Sequence, residues 1–198
     1  DLAPRASVVT HLGVLHGRLS ATEKEQTMAD FRSGKTQVLL STTVVEVGVD
    51  VPNATVMAVL DIARPAMESM QRRWPSSGRG FELTDMNREW PGNENGVGAV
   101  SRQAGLVFNR LLRPNTDLAI DFHTGTTGLD AAAFHIGDMR ITDVKTMMML
   151  YPVPAIWDNP AYPGVLHNAY IDVGIPCFTP EVGVARRLDL DMIPMFVE

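Results

Sequence analysis

The sequence has one cysteine, Cys177, in 198 residues. An internal disulfide is therefore impossible, and a reducing cytoplasm is the expected compartment. Long hydrophobic runs are also missing. The longest, such as Val97–Val100 and Met147–Tyr151, fall far short of the roughly 18 apolar residues that a spanning helix needs, and no basic flank and long apolar stretch mark the N-terminus as a targeting segment. No excess of positive charge is present: 17 Lys and Arg stand against 23 Asp and Glu, a formal charge of -6 that implies no general affinity for nucleic acid. A G-x-x-x-x-G-K-[ST] phosphate loop is absent as well. What remains, 45% apolar and 20% charged residues, is the composition of a globular domain able to bury a real core.

Four short apolar runs read as buried strands: Val8–Leu15, Gln37–Ser41, Ala54–Leu60 and Asp117–Phe122. Between the first two, Ser20 followed by Glu23 is a capping box, so a helix should start there, bury Met28 and Phe31, and stop at Gly34. This is a β-α-β unit. The stretch from about Asp61 to Gly96 is rich in Gly, Pro, Asn and Arg and reads as a long loop, after which Gly98–Leu112 has the spacing of an amphipathic helix. The expected fold class is α/β, with a single largely parallel or mixed sheet flanked by helices.

Val14–Val59, VLHGRLSATEKEQTMADFRSGKTQVLLSTTVVEVGVDVPNATVMAV, resembles the second motor domain of RecG-type branch-migrating DNA helicases. In that family the TTVVEVGVDVP segment touches the nucleic-acid backbone and couples it to the nucleotide site. The resemblance therefore implies this role for Thr42, Thr43, Glu46, Gly48 and Asp50, although a strand-turn-strand kept only for folding is the favoured reading of the segment. Downstream, QRRWPSSGRG (Gln71–Gly80) is a loose echo of the family's Q-x-x-G-R-x-G-R run.

Three later motifs, DMNREWPG (Asp85–Gly92), DLAIDFHTGTTG (Asp117–Gly128) and GIPCFTPEVG (Gly174–Gly183), resemble the succinylglutamate desuccinylase and aspartoacylase family of zinc deacylases. The resemblance implies that Asn87 and Arg88 bind the acyl substrate's carboxylate, that His123 is a zinc ligand and that Glu181 is the general base. Arg73, or its neighbour Arg72, corresponds to a further arginine of the substrate pocket. These types suit those tasks: guanidinium offers a planar fork to a carboxylate, and imidazole is a preferred zinc ligand. His11, His135 and His167 lack ligand spacing and read as structural or surface residues.

The family's zinc site also needs an early H-x-x-E pair, and no H-x-x-E occurs in the chain. His16-Gly17 stands after a strand as the family's H-G does, but three residues on is Leu19, which has no donor atom. His16 and His123 form at most an incomplete metal site, and weak or no zinc binding is expected. The family's further C-terminal domain is also expected to be missing. The sequence therefore reads as a chimera: a helicase-like fragment over 1–60 joined to a deacylase-like fragment over 61–198 in one merged domain. Laboratory recombination is the leading explanation of the join, with natural gene fusion and truncation left open.

A folded chimera without evolved activity, with no cofactor and a tendency to self-associate, is the first expectation. A zinc-dependent amidohydrolase of N-acyl amino acids is the alternative, and a DNA-binding helicase remnant a weaker one. From the charge and the missing phosphate loop, the purified protein should show neither ATP hydrolysis nor specific duplex binding. Nucleotide-dependent strand displacement would contradict this.

Overall fold

The computed structural model describes residues 11–15, 18–36, 38–41, 56–77, 82–126, 128–129, 132–185 and 187. His16 and the segment Thr42–Pro52, with Thr43, Glu46, Gly48 and Asp50, lie outside the described residues. The chain divides into two compact units, Asp1–Met86 with Gly92–Asn115, and Asn87–Pro91 with Thr116–Glu198.

In the first unit, β1 (Leu12–Leu15), β2 (Val38–Ser41) and β3 (Val56–Val59) form a parallel three-stranded sheet in the order β1-β2-β3. Helix α1 (Ala21–Arg32) crosses between β1 and β2, as the sequence pattern expects. Its capping box is complete: Ser20 Oγ accepts from the Glu23 amide, and Glu23 Oε2 accepts from the Ser20 amide at 2.9 Å. Two orphan amide groups of the helix start are thereby satisfied. Met28 and Phe31 pack on Leu15 and Leu39, with Leu19 against the same cluster, and Gly34 follows the helix at φ +76°, where a side chain would be strained.

The stretch read as a long loop contains ordered elements. These are α2 (Arg64–Glu68) and an antiparallel pair, β4 (Arg73–Pro75) with β5 (Leu83–Asp85). Three-residue strands are too short for an alternation to show in the sequence. The amphipathic helix is present as α3 (Ala99–Val107), continued by a π-helical turn over Phe108–Leu112. Val100, Ala104, Phe108 and Leu112 are buried along it.

The second unit is built on β10 (Cys177–Val184). It pairs in parallel with β6 (Ala119–Ile120) and β7 (His123–Gly125) and antiparallel with β8 (Phe134–Gly137), which in turn pairs in parallel with β9 (Ala155–Asp158). Helix α4 (Thr142–Leu150) buries Val144 and Met148 against Phe178, while Met149 stays exposed, so the TMMML run is only partly core. From α5 (Leu166–Asp172), His167 reaches Thr179 on β10.

The α/β class is as expected, with parallel and mixed sheets flanked by helices. The single sheet is not: among the described residues the strands fall into three sheets. Among the described residues the ladder that starts at β1 ends at β3, β4 and β5 pair with each other, and β6 to β9 assemble with β10, which takes partners on both of its edges. The fourth expected strand is also shorter. It breaks after Ile120, and the chain resumes as β7 at His123. Among the described residues, no helix is long and apolar enough to cross a membrane.

Phe31 is 1% exposed in a small cluster. Phe31→Ala should cost about 3–5 kcal/mol and Ser20→Ala about 1 kcal/mol in urea unfolding. Equal effects of the two would contradict the packing described.

Candidate functional site

The site lies within the second unit and starts from a local rule of strands: residues two apart point the same way. Asp121 and His123 have that spacing, and Asp121 Oδ2 lies 3.1 Å from His123 Nε2. The β7–β10 register then sets His123 directly opposite Glu181, whose Oε1 is 3.4 Å from Nδ1. Each ring nitrogen thus faces a carboxylate. Burial alone pushes the His123 pKa down, but hydrogen bonds and charge from Asp121 and Glu181 outweigh it and raise it to about 10. Both nitrogens therefore carry protons at neutral pH and donate to the two acids.

Asn87 and Arg88 come from a short 3-10 turn, Met86–Arg88. The Leu166 amide donates to Asn87 Oδ1 at 3.0 Å, which turns Asn87 Nδ2 to within 3.3 Å of His123 Nε2. Arg88 is exposed; one of its Nη atoms donates to the Asn87 carbonyl, and its guanidinium lies over the Tyr162 ring, 5.1 Å from the centroid. Asn87, His123 and Glu181 are thus brought together, with Arg88 adjoining Asn87. Arg73 belongs to the first unit, exposed on β4, and there Arg72 pairs with Asp85 at 2.7 Å.

Sequence reasoning missed Asp121, which the D-x-H spacing could have revealed. The reading of His167 as a structural or surface residue agrees with a buried structural position. His167 is buried, with Nδ1 2.9 Å from Thr179 Oγ1 on the strand that carries Glu181, and burial lowers its pKa. His135 is buried too, with Nε2 3.1 Å from the Tyr151 carbonyl, whereas His11 is exposed.

As a zinc site the described residues are insufficient. An imidazole oriented by a carboxylate on one nitrogen is the usual outer partner arrangement of a metal-binding histidine, and Asp121 supplies it here. Yet one histidine is not a ligand set, since catalytic zinc takes three protein ligands. Leu19, read from the resemblance as standing where the family has a glutamate, packs its alkyl chain on the α1 cluster and lies outside the residues that match the family. Among the described residues, no group of three His, Cys, Asp or Glu is arranged to hold a metal ion.

Residues 50–198 match the succinylglutamate desuccinylase/aspartoacylase catalytic domain, and residues 5–79 match the helicase conserved C-terminal domain. The ATP-dependent DNA helicase RecG of Mycobacterium bovis is 52% identical over 69 residues, 35% of this chain and 9% of its own; that of Bacillus subtilis is 44% identical over 70 residues, 35% and 10%. The chain therefore spans about a tenth of these relatives. Among solved structures, the product-bound ectoine utilization protein EutE (DoeB) of Ruegeria pomeroyi is similar with a TM-score of 0.58 at 22% identity, over 70% of this chain and 43% of that one. A succinylglutamate desuccinylase of Silicibacter sp. TM1040 gives 0.57 at 18%, over 93% and 53%. At these identities the likeness is one of fold. Two different family fragments thus stand in one chain.

Because its pKa is raised on folding, His123 contributes stability that is full below its ordinary value of 6.5 and is lost as pH climbs through about 10. In chelator-treated protein, urea unfolding should show wild type losing its advantage over His123→Asn across that window. Asp121→Asn should shrink the effect, and a constant difference would contradict the ion cluster.

Proposed function

We propose, since the chain belongs to the succinylglutamate desuccinylase/aspartoacylase family through residues 50–198, that it is a recombined α/β protein in which a helicase-derived β-α-β stands ahead of a deacylase-derived domain. Its parentage divides at 1–60 and 61–198, within the stretch where the two family matches overlap. The deacylase half keeps a carboxylate-recognition cluster without the hydrolytic activity of its parents. The observation that carries this is that both ring nitrogens of His123 face carboxylates, Asp121 and Glu181, with Asn87 beside them, so the imidazole is engaged as a cation.

In this reading Arg88 and Asn87 meet the carboxylate of an N-acyl amino acid, and Glu181 is a base with no acidified water to work on. Water near its ordinary pKa of about 15.7 gives up a proton too reluctantly for useful turnover. His123 serves as a cation between two acids. A second reading, a zinc-dependent amidohydrolase, is favoured by the Asp121–His123 pair, which is built as a metal-binding histidine would be. It requires further ligands to complete the set. A DNA-binding remnant at Thr42–Pro52 has only the sequence resemblance behind it, and self-association remains part of the first reading.

Zinc per chain after dialysis should be well below one, and N-acetyl-aspartate and N-succinyl-glutamate should not be hydrolysed. Stoichiometric zinc with turnover abolished by His123→Ala would overturn the reading in favour of the amidohydrolase.

A further inference from the structure

The segment from Tyr162 to Asn168 makes a series of contacts with the turn that carries Arg88. Gly164, at φ +85°, lies so close that a Cβ there would meet the Arg88 carbonyl oxygen at 2.5 Å. The Trp90 amide donates to the Gly164 carbonyl at 3.0 Å, and the Leu166 amide donates to Asn87. Asn168, which is buried, accepts the Tyr162 amide on its Oδ1 at 2.9 Å, and the Tyr162 ring lies under the Arg88 guanidinium. A buried amide side chain thus fixes an exposed ring, and the ring faces a cation.

The orientation of that cation follows from the same contacts. Nη1 of Arg88 is occupied by the Asn87 carbonyl, which leaves the Nε–Nη2 edge as the pair of parallel donors without a partner among the described residues. Two parallel N–H groups in one plane match the two oxygens of a carboxylate. Stacking on an aromatic face holds that plane without using any of its donors.

We propose that Tyr162, held by Asn168, is the positioning residue that presents the Nε–Nη2 edge of Arg88 to the carboxylate of an N-acyl amino acid. This rests on the proposed recognition role of Arg88 and adds the device that aims it. The ring is the working part, so the phenol oxygen is dispensable. Asn168 acts one step further back, through the Tyr162 main chain.

The test uses the whole protein, N-acetyl-aspartate as the probe, calorimetric binding, and the NMR resonance of the Arg88 Nε proton, which a ring current displaces upfield. Tyr162→Phe should leave both unchanged. Tyr162→Ala should return the resonance to its unstacked position and weaken binding about fivefold, with an unfolding midpoint close to wild type because the side chain is exposed. Asn168→Ala should move the resonance in the same direction. An Arg88 resonance that is unmoved in Tyr162→Ala, or a Tyr162→Phe variant as impaired as Tyr162→Ala, would overturn the proposal. If the wild type takes up no N-acetyl-aspartate while Tyr162→Ala still moves the resonance, the platform stands and the recognition role proposed for Arg88 falls.

Discussion

The second unit depends on a charge balance at one pair of strands. His123 and Glu181 are ladder partners across β7 and β10, and Asp121 closes the arrangement from the other side of the imidazole. Three ionisable groups that are mostly buried are tolerated because each lies against an opposite charge; removing one would leave its partners desolvated and unpaired. Strand β10 also carries Thr179, which holds His167 of α5, and Phe178, on which α4 packs. The central strand therefore sets the core and the charged cluster through one register.

Helix α5 converts this strand geometry into a site. Its first three residues each make a different tie: Leu166 to Asn87, His167 to Thr179, and Asn168 to Tyr162. Through them the turn bearing Asn87 and Arg88 is fastened to the strand bearing Glu181, although these residues are far apart in sequence. None of the three is charged. Their importance lies in hydrogen bonds formed where water is largely excluded, so that each unmade bond would cost more than it would at the surface.

The first unit is a different kind of object. Its β1–β3 sheet is short and parallel, with the small cluster of Leu15, Met28, Phe31 and Leu39 under α1, while Val100, Ala104, Phe108 and Leu112 are buried along α3 and the turn after it. Leu19 packs against the cluster under α1. The residue answers to the packing of the helicase-like fragment in which it sits. Function resides in side-chain constellations rather than in folds, so joining two α/β fragments conserves the architecture of both more readily than the site of either.

Much of this was legible in the residues. The capping box at Ser20, the burial of Met28 and Phe31, the stop at Gly34, three of the strands and the amphipathic character of α3 follow from local rules of period and capping, which neighbouring residues are enough to satisfy. Asn87, Arg88, His123 and Glu181 were singled out as candidates by family motifs, and the fold brings Asn87, His123 and Glu181 together. The separation of the strands into distinct sheets, the meeting of His123 with Glu181 and the ties of α5 to Asn87 and Thr179 were decided only by tertiary structure. Each of these depends on partners brought together from distant positions, and a hydrogen bond or ion pair of that kind leaves no period in the sequence around either partner.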